Sequence, residues 1–149
     1  MLFLRKRIVS LIIVLAVASV CFPTPDATAF CFDSAGKTYG ISPDLLWGIA
    51  KQESSFNPTA INYNTNGSYD YGIMQINSSW YRSLGPELWN RLSDPCTNVH
   101  VGAWVLAQCI ERLGYNWEAV GCYNSGNPNK RMKYANKIYS ALRRAGVLK

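Results

Sequence analysis

Four cysteines after residue 29 limit the folds open to this chain more than any other feature: Cys31, Cys96, Cys109 and Cys122. In an exported chain, an even number of cysteines indicates two disulfides, which four cysteines can form in three ways. Residues 98–113 are predicted to form one helix. Because a helix rises about 1.5 Å per residue, Cys96 and Cys109 would lie about 20 Å apart, too far to bond.

Of the two remaining arrangements, a turn predicted at Gly114 favours one. Cys109 lies near the end of the helix just described, and Cys122 lies on the next helix. A short turn between two helices makes an antiparallel hairpin, which brings these two cysteines together. We therefore favour Cys31 with Cys96, and Cys109 with Cys122.

The first 29 residues have the composition of a targeting segment. Three basic residues at positions 5–7 precede an apolar run over 8–20 that is too short to span a bilayer comfortably. Residues 27–29 (ATA) form the small-x-small pattern that signal peptidase accepts. We expect a signal peptide over 1–29, no stable membrane anchor, and one monomeric domain over 30–149 in the periplasm or outside the cell. A retained N-terminal anchor is the alternative.

That domain carries a net charge of +4, from twelve Lys and Arg against eight Asp and Glu. Such a charge suits solubility and also attraction to an anionic polymer, so it does not decide between them. The basic residues after 130 alternate with Tyr134, Ile138 and Leu142 at helical spacing, which is typical of a solvated helix face and not of a nucleic-acid site. His100 is the only histidine. We therefore expect no metal site, and no cofactor.

Apolar residues in the domain recur at spacings of three and four, which predicts a mainly α chain of the α+β class. A change of pattern between 60 and 76, with Asn66-Gly67 between Ile and Tyr residues, predicts a small β-hairpin. Ser42 can cap the helix that Pro43 begins, because its side chain accepts from free backbone N–H groups. The expected helices cover 31–39, 43–56, 98–113, 117–123 and 130–144.

Glu53 occupies a position where the helical pattern predicts an apolar side chain. Leu46, Ile49, Glu53 and Phe56 follow one another at steps of three, four and three. Partial burial raises the pKa of a carboxyl group, which is what a general acid working near neutral pH needs. The alternative is that Glu53 lies at the edge of the stripe and pairs with a surface cation such as Lys51.

Asp70 is a second carboxylate candidate, on the far arm of the predicted hairpin. It follows Asn66-Gly67 by a few residues and lies in a polar segment. Cleavage of glycosidic bonds often uses one protonated acid beside one ionised carboxylate, in environments that separate their pKa values. The alternative is a turn acid that accepts hydrogen bonds from nearby backbone N–H groups.

Five further residues are candidates for substrate contacts. Gly72 permits close approach of a sugar, and the Gln75 amide can both donate and accept hydrogen bonds. Met74 belongs either to the core or to the floor of a cleft. Tyr123 and Asn124, at the end of a short predicted helix, offer a phenol and an amide.

Three segments in order resemble the signature motifs of the soluble lytic transglycosylase (SLT) family: residues 50–58 (AKQESSFNP), 71–77 (YGIMQIN) and 119–126 (AVGCYNSG). The resemblance covers essentially all of 31–142. Within the family the chain is most similar to small invasion-associated and conjugal-transfer members. The resemblance therefore implies that the substrate is peptidoglycan strands. It also implies that the partners are components of a type III secretion, type IV secretion or pilus machine.

The resemblance also implies a lysozyme-like fold and a role for each matching residue. Glu53 matches the single catalytic acid/base, and Ser54 matches the serine that follows it. Gln75 matches a glutamine that contacts substrate, and Tyr123 and Asn124 match residues lining the cleft. The implied reaction cleaves the β-1,4 bond between N-acetylmuramic acid and N-acetylglucosamine by closing the muramoyl 6-hydroxyl onto the anomeric carbon.

Two features depart from the family pattern. Cys122 stands where many members carry alanine, and a disulfide to Cys109 would explain the change. Residues 66–78 also resemble the active-site hairpin of animal-type lysozymes, in which the position of Asp70 holds the second catalytic carboxylate. A lysozyme-type hydrolase that uses Glu53 and Asp70 is therefore an alternative, as is an assembly factor that binds the wall without cutting it.

Overall fold

The computed structural model describes residues 30–149, so the signal peptide expected over 1–29 lies outside the described residues. The described part is mainly helical with one small antiparallel sheet, which confirms the predicted fold class. No helix in this part has both the length and the apolar character needed to cross a membrane. The elements are α1 Phe32–Tyr39, α2 Pro43–Ser54, β1 Ile61–Tyr63, β2 Tyr69–Tyr71, β3 Ile76–Asn77, α3 Tyr81–Asn90, α4 Pro95–Leu113, α5 Trp117–Asn124 and α6 Pro128–Arg144.

The core forms where α2 meets its three neighbouring helices, α1, α4 and α6. Leu46 and Ile49 of α2 are fully buried, as are Leu106 of α4 and Ile138 of α6. Gly48 lets α6 approach closely, because a Cβ there would lie 3.0 Å from the Leu142 side chain. The end of α2 is thus held rigidly at the centre of the domain.

The second helix ends two residues earlier than the spacing predicts. Ser55 and Phe56 adopt left-handed backbone conformations with φ of 52° and 67°, so Phe56 is not part of the helical stripe. It still packs on the core through Trp47, with ring centroids 5.3 Å apart. The expected cap is also absent, because the Ser42 side chain makes no capping hydrogen bond, although Pro43 does begin the helix.

The predicted hairpin is present and belongs to a three-stranded sheet in the order β1-β2-β3. Asn62 pairs with Asp70, and Tyr63 pairs with Tyr69. Since side chains alternate along a strand, Asn62 and Asp70 lie on one face and the two tyrosines lie on the other. The third strand, of only two residues, was too short for the sequence pattern to indicate.

Helix α3 was not predicted by the periodicity. Gly85 interrupts it with a non-helical conformation (φ 76°, ψ 165°), and Pro86 follows at once. None of its side chains is fully buried, so its apolar residues form no continuous stripe. The predicted helices 31–39, 98–113, 117–123 and 130–144 are confirmed with ends shifted by at most three residues.

Both disulfides have the expected partners. Cys31 pairs with Cys96 and ties the start of α1 to the start of α4, with Cα atoms 5.2 Å apart. Cys109 pairs with Cys122 and ties the end of α4 to α5, with Cα atoms 5.9 Å apart. The second bond therefore fixes the residue directly before Tyr123.

Candidate active site

A cleft of about 600 Å³ opens between the sheet and the helices α5 and α6. The cleft brings together five of the residues that the sequence singles out: the two carboxylates, Glu53 and Asp70, and the polar candidates Gln75, Tyr123 and Asn124. Ser54, Gly72 and Met74 do not line it. The lining residues are Glu53, Asn64, Thr65, Asn66, Ser68, Asp70, Gln75, Ile76, Asn77, Ser79, Trp80, Val105, Tyr123, Asn124 and Lys130.

Glu53 lies in the last turn of α2 and points into this cleft. Burial raises the pKa of its carboxyl group from 4.5 to about 7, and repulsion from Asp70 adds to the rise. A hydrogen bond from the Tyr134 hydroxyl to Oε1 and the charge of Lys137 act in the opposite direction. Near neutral pH the group is therefore poised between its acid and base forms.

Tyr134 is a part of this site that the sequence reasoning missed. The residue belongs to the buried stripe of α6 and is 5% exposed. Burial, together with the neighbouring Glu53, raises the pKa of its phenol well above the usual range. The hydroxyl thus keeps its proton and remains a hydrogen-bond donor to the carboxylate. A tyrosine among the aliphatic stripe residues was the available signal.

Asp70 is held by two amides on the cleft face of the sheet. Asn77 Nδ2 donates to Oδ1 at 2.7 Å, and Asn64 Nδ2 donates to Oδ2 at 2.9 Å. Both amides also contact the Ser68 hydroxyl, at 3.1 and 3.2 Å. These four contacts fix the position of the Asp70 side chain on the wall of the cleft.

The turn between β2 and β3 is built around Asn98, a fully buried residue of α4 that the sequence did not reveal. Its Oδ1 accepts from the Met74 N–H at 2.9 Å, and its Nδ2 donates to the carbonyls of Tyr71 and Leu92, both at 3.1 Å. Gly72 packs directly against this amide: a Cβ there would lie 2.2 Å from Asn98 Nδ2. The glycine thus permits close approach of this asparagine, and the sugar contact expected of Gly72 stays a prediction.

Met74 and Ser54 also support the turn from behind. The Met74 side chain is fully buried against Gly102, so the core alternative is the one observed. Ser54 Oγ donates to the Ile73 carbonyl at 2.8 Å, which links the end of α2 to the turn. Neither side chain reaches the cleft.

Gln75 lines the cleft, yet its amide is engaged within the protein. Its backbone is left-handed (φ 51°), and its Nε2 donates to the carbonyls of Gly72 at 2.7 Å and Ala60 at 3.2 Å. Asn62 Nδ2 donates to its Oε1 at 2.6 Å. These bonds join all three strands near Asp70.

Tyr123 and Asn124 form the opposite side of the cleft. The Tyr123 hydroxyl donates to the Met74 carbonyl at 2.7 Å, so it fastens α5 to the turn. Burial raises the pKa of this phenol, and the charges of Glu53 and Asp70 raise it further. Asn124 is exposed, and its amide is accessible from the cleft.

His100 lies away from this site. Its Nε2 is 2.9 Å from Ser34 Oγ, and its ring meets the Tyr39 ring edge-on. Across residues 30–149, no group of three or more His, Cys, Asp or Glu side chains has the arrangement of a metal site. Glu53 and Asp70, by contrast, both line the cleft.

Comparison with known proteins defines the class that this fold and cleft represent. The sequence model described as "Transglycosylase SLT domain" matches residues 30–142. The chain therefore belongs to the transglycosylase SLT family, whose members are peptidoglycan lytic transglycosylases.

Its relatives include proteins of Shigella, Salmonella and Escherichia coli. Protein IpgF of Shigella flexneri is 46% identical over 127 residues, which cover 80% of this chain and 84% of that protein. Invasion protein IagB of Salmonella typhimurium strain SL1344 is 43% identical over 125 residues, covering 79% and 78%. X polypeptide of Escherichia coli is 38% identical over 122 residues, covering 74% and 71%.

Among solved structures, an inactive mutant of the lytic transglycosylase Slt from Pseudomonas aeruginosa shares the fold. The TM-score is 0.62 at 17% sequence identity, over 86% of this chain. The match spans a quarter of the length of the Slt chain. The predicted lysozyme-like fold is thereby confirmed.

Proposed function

We propose that this protein cleaves the β-1,4 bond between N-acetylmuramic acid and N-acetylglucosamine with Glu53 as its catalytic acid/base, leaving a 1,6-anhydromuramoyl end. The observation that carries the proposal is the Glu53 carboxyl itself: it lines the cleft, and its pKa is raised to about 7 by burial. A single group that must first give and then take a proton works best when its pKa lies near the working pH.

The reaction needs no other acid or base. Protonated Glu53 gives its proton to the glycosidic oxygen, and the bond from that oxygen to the anomeric carbon breaks. The Glu53 carboxylate then removes the proton of the muramoyl 6-hydroxyl, whose oxygen bonds to the anomeric carbon. Asp70, held by its two amides, stabilises the positive charge that develops at this carbon. The enzyme ends in its starting protonation state, and no water is consumed.

The remaining candidates divide into two roles. Gln75, Tyr123 and Asn124 line the cleft and supply polar surface to the sugar, with Asn124 offering a free amide. Ser54, Gly72 and Met74 position the turn that carries Gln75. The second group therefore acts on the substrate only through the shape of the cleft.

A lysozyme-type hydrolase is the second candidate, and Asp70 favours it. Many transglycosylases lack an acid at this position, whereas here an amide-held carboxylate lies near enough to Glu53 to raise its pKa. In that reaction Glu53 activates water, and Asp70 acts as nucleophile or as electrostatic stabiliser. The initial protonation of the leaving oxygen is the same.

Product analysis separates these two reactions. Purified peptidoglycan is digested with the protein, and the fragments are analysed by mass spectrometry. Fragments with 1,6-anhydromuramoyl ends are 18 mass units lighter than reducing-end fragments, about the mass of one water. Anhydro products support the proposal, and purely reducing ends would establish the hydrolase. No cleavage at all, by a folded protein, contradicts both.

For the cell we propose local opening of the wall for a secretion or pilus machine, by a protein exported to the periplasm or beyond. The name of the relative invasion protein IagB supports this role, as do the two disulfides, which form in oxidising compartments. Complementation of a deletion strain with Glu53→Gln tests it. If the variant restores secretion fully, the protein serves the machine through binding and not through cleavage.

A further inference from the structure

One edge of α6 carries four cations: Lys130, Lys133, Lys137 and Arg144. At about 100° per residue, they lie within roughly 60° of one another around the helix, and they extend about 21 Å along it. We call this row the basic edge. It borders the buried stripe of α6 to which Tyr134 belongs.

No acidic side chain within residues 30–149 forms an ion pair with the basic edge. Across residues 30–149, the one ion pair joins Arg131 to Glu118, on a different side of α6. The side chains of the four cations are exposed. An unneutralised row of cations raises the local concentration of anions, so the edge is suited to an anionic ligand.

The row begins inside the cleft. Lys130 is one of the lining residues, and Lys137 is close enough for its charge to lower the pKa of Glu53. The opposite wall, formed by the hairpin, carries Asp70 and amides instead. A ligand in the cleft therefore meets negative charge on one side and positive charge on the other.

We propose that the basic edge binds the carboxylates of the peptides attached to the glycan strand, so that the protein favours peptide-bearing over peptide-free strands. This inference rests on the proposed function, because it takes peptidoglycan as the polymer in the cleft. Muramoyl residues carry short peptides with free carboxylates, and a strand whose sugars lie against the hairpin wall directs some of these peptides towards α6. An anionic lipid surface would need the cations to lie on an open face, whereas Lys130 lines the cleft.

Binding can be measured without cleavage in the Glu53→Gln background, where the charge of Lys137 no longer affects a catalytic pKa. Glycan strands with their peptides, and the same strands after an amidase has removed the peptides, are immobilised through their ends on a sensor surface, and binding of the protein to each is measured. We expect several-fold tighter binding to the peptide-bearing strands. The double substitution Lys130→Gln and Lys137→Gln should remove most of this preference, at about two- to fivefold per solvent-screened contact.

Arg143→Gln is the matched control, because Arg143 is an exposed cation outside the basic edge, about 80° or more around α6 from each of its members. It should retain the preference, and salt of about 0.5 M should reduce the preference of the unsubstituted protein. The inference is wrong if the double variant keeps the preference, or if Arg143→Gln loses it equally. If the double variant loses binding to phosphatidylglycerol vesicles but keeps the strand preference, the basic edge binds a membrane surface instead. A protein that binds as expected but yields no glycan fragments would contradict only the proposed function.

Discussion

The Tyr134 hydroxyl donates a hydrogen bond to the Glu53 carboxylate across the junction of α6 and α2. The contact opposes the effect of burial, because it favours the ionised carboxylate while burial favours the protonated one. Asp70 then adds to the effect of burial. Of these influences on the protonation of Glu53, the Tyr134 hydroxyl and the Asp70 charge can each be removed by a single substitution.

Tyr134→Phe removes the contribution that lowers the pKa of Glu53. Activity that needs protonated Glu53 is complete below its pKa of about 7 and is lost as pH rises through that value. We expect the alkaline decline of kcat/KM to move to higher pH in this variant, with a loss of about 1 kcal/mol in the free energy of unfolding. Tyr139→Phe, on the opposite side of α6, is the control. An unmoved profile would show that the hydroxyl does not tune Glu53.

Asp70→Asn has the opposite effect on the same profile. Without the repulsion from Asp70, the pKa of Glu53 falls, and the alkaline decline should move to lower pH. The rate below the decline should also fall, on the order of a hundredfold, because the charge that stabilises the anomeric carbon is lost. Steady-state kinetics across pH measure both effects, and Asp44→Asn is the control on the exposed start of α2. A normal rate with a shifted profile would limit Asp70 to tuning.

Glu53→Gln should lower the rate of cleavage by about 10² to 10⁴ fold. The same substitution should stabilise the protein at alkaline pH. Because the folded-state pKa of about 7 exceeds the unfolded value of 4.5, the free energy of unfolding of the natural protein decreases as pH rises from 4.5 to 7. Glutamine does not ionise, so the variant does not lose stability in this way. We expect a gain on the order of 2 kcal/mol at pH 8 and almost none at pH 4.

Denaturant titrations at the two pH values measure the gain, with Glu111→Gln as an exposed control. Equal stability of Glu53→Gln and the natural protein at pH 8 would mean that the Glu53 pKa is not raised by burial. Retention of cleavage by a folded Glu53→Gln variant would exclude Glu53 as the acid/base.

Asn98→Ala tests the support of the turn between β2 and β3. The substitution leaves the Met74 N–H and two carbonyls without their buried partner, so we expect a loss of about 2 to 4 kcal/mol in the free energy of unfolding. Activity at a temperature where the variant is folded should fall as well, because Gln75 and Asp70 flank the turn. Asn136→Ala, exposed on α6, provides the comparison. A variant of normal stability would show that water replaces the amide.

The helices and the position of Glu53 were predictable because both depend on local periodicity. The spacing that places Leu46 and Ile49 in the core requires the residue at 53 to lie beside them, whatever its chemistry. Cys109 and Cys122 were predictable for the same reason, since one turn between two helices determines their approach. The end of α2 was not predictable, because the left-handed conformation of Ser55 ends the helix although the apolar spacing continues to Phe56.

The residues that sequence reasoning missed act through contacts distant in the chain. Asn98 meets the turn at Gly72 from 26 positions away, and Tyr134 meets Glu53 from 81 positions away. In the sequence, each occupies a position whose burial is predictable but whose partner is not. Helix α3 was missed for a different reason, because Gly85 and Pro86 divide its apolar residues into two short groups.

The pairing of Asn62 with Asp70 has a consequence for how the hairpin can change in evolution. A shift of one residue in the pairing would exchange the two faces of the strand, turning Tyr69 or Tyr71 into the cleft and the carboxylate away from it. Insertion or deletion of single residues on β2 is therefore incompatible with two-carboxylate chemistry, whereas length changes confined to the tip near Gly67 leave the pairing intact. Homologous hairpins of different length should accordingly keep the acid at an unchanged offset from the glutamine that follows it.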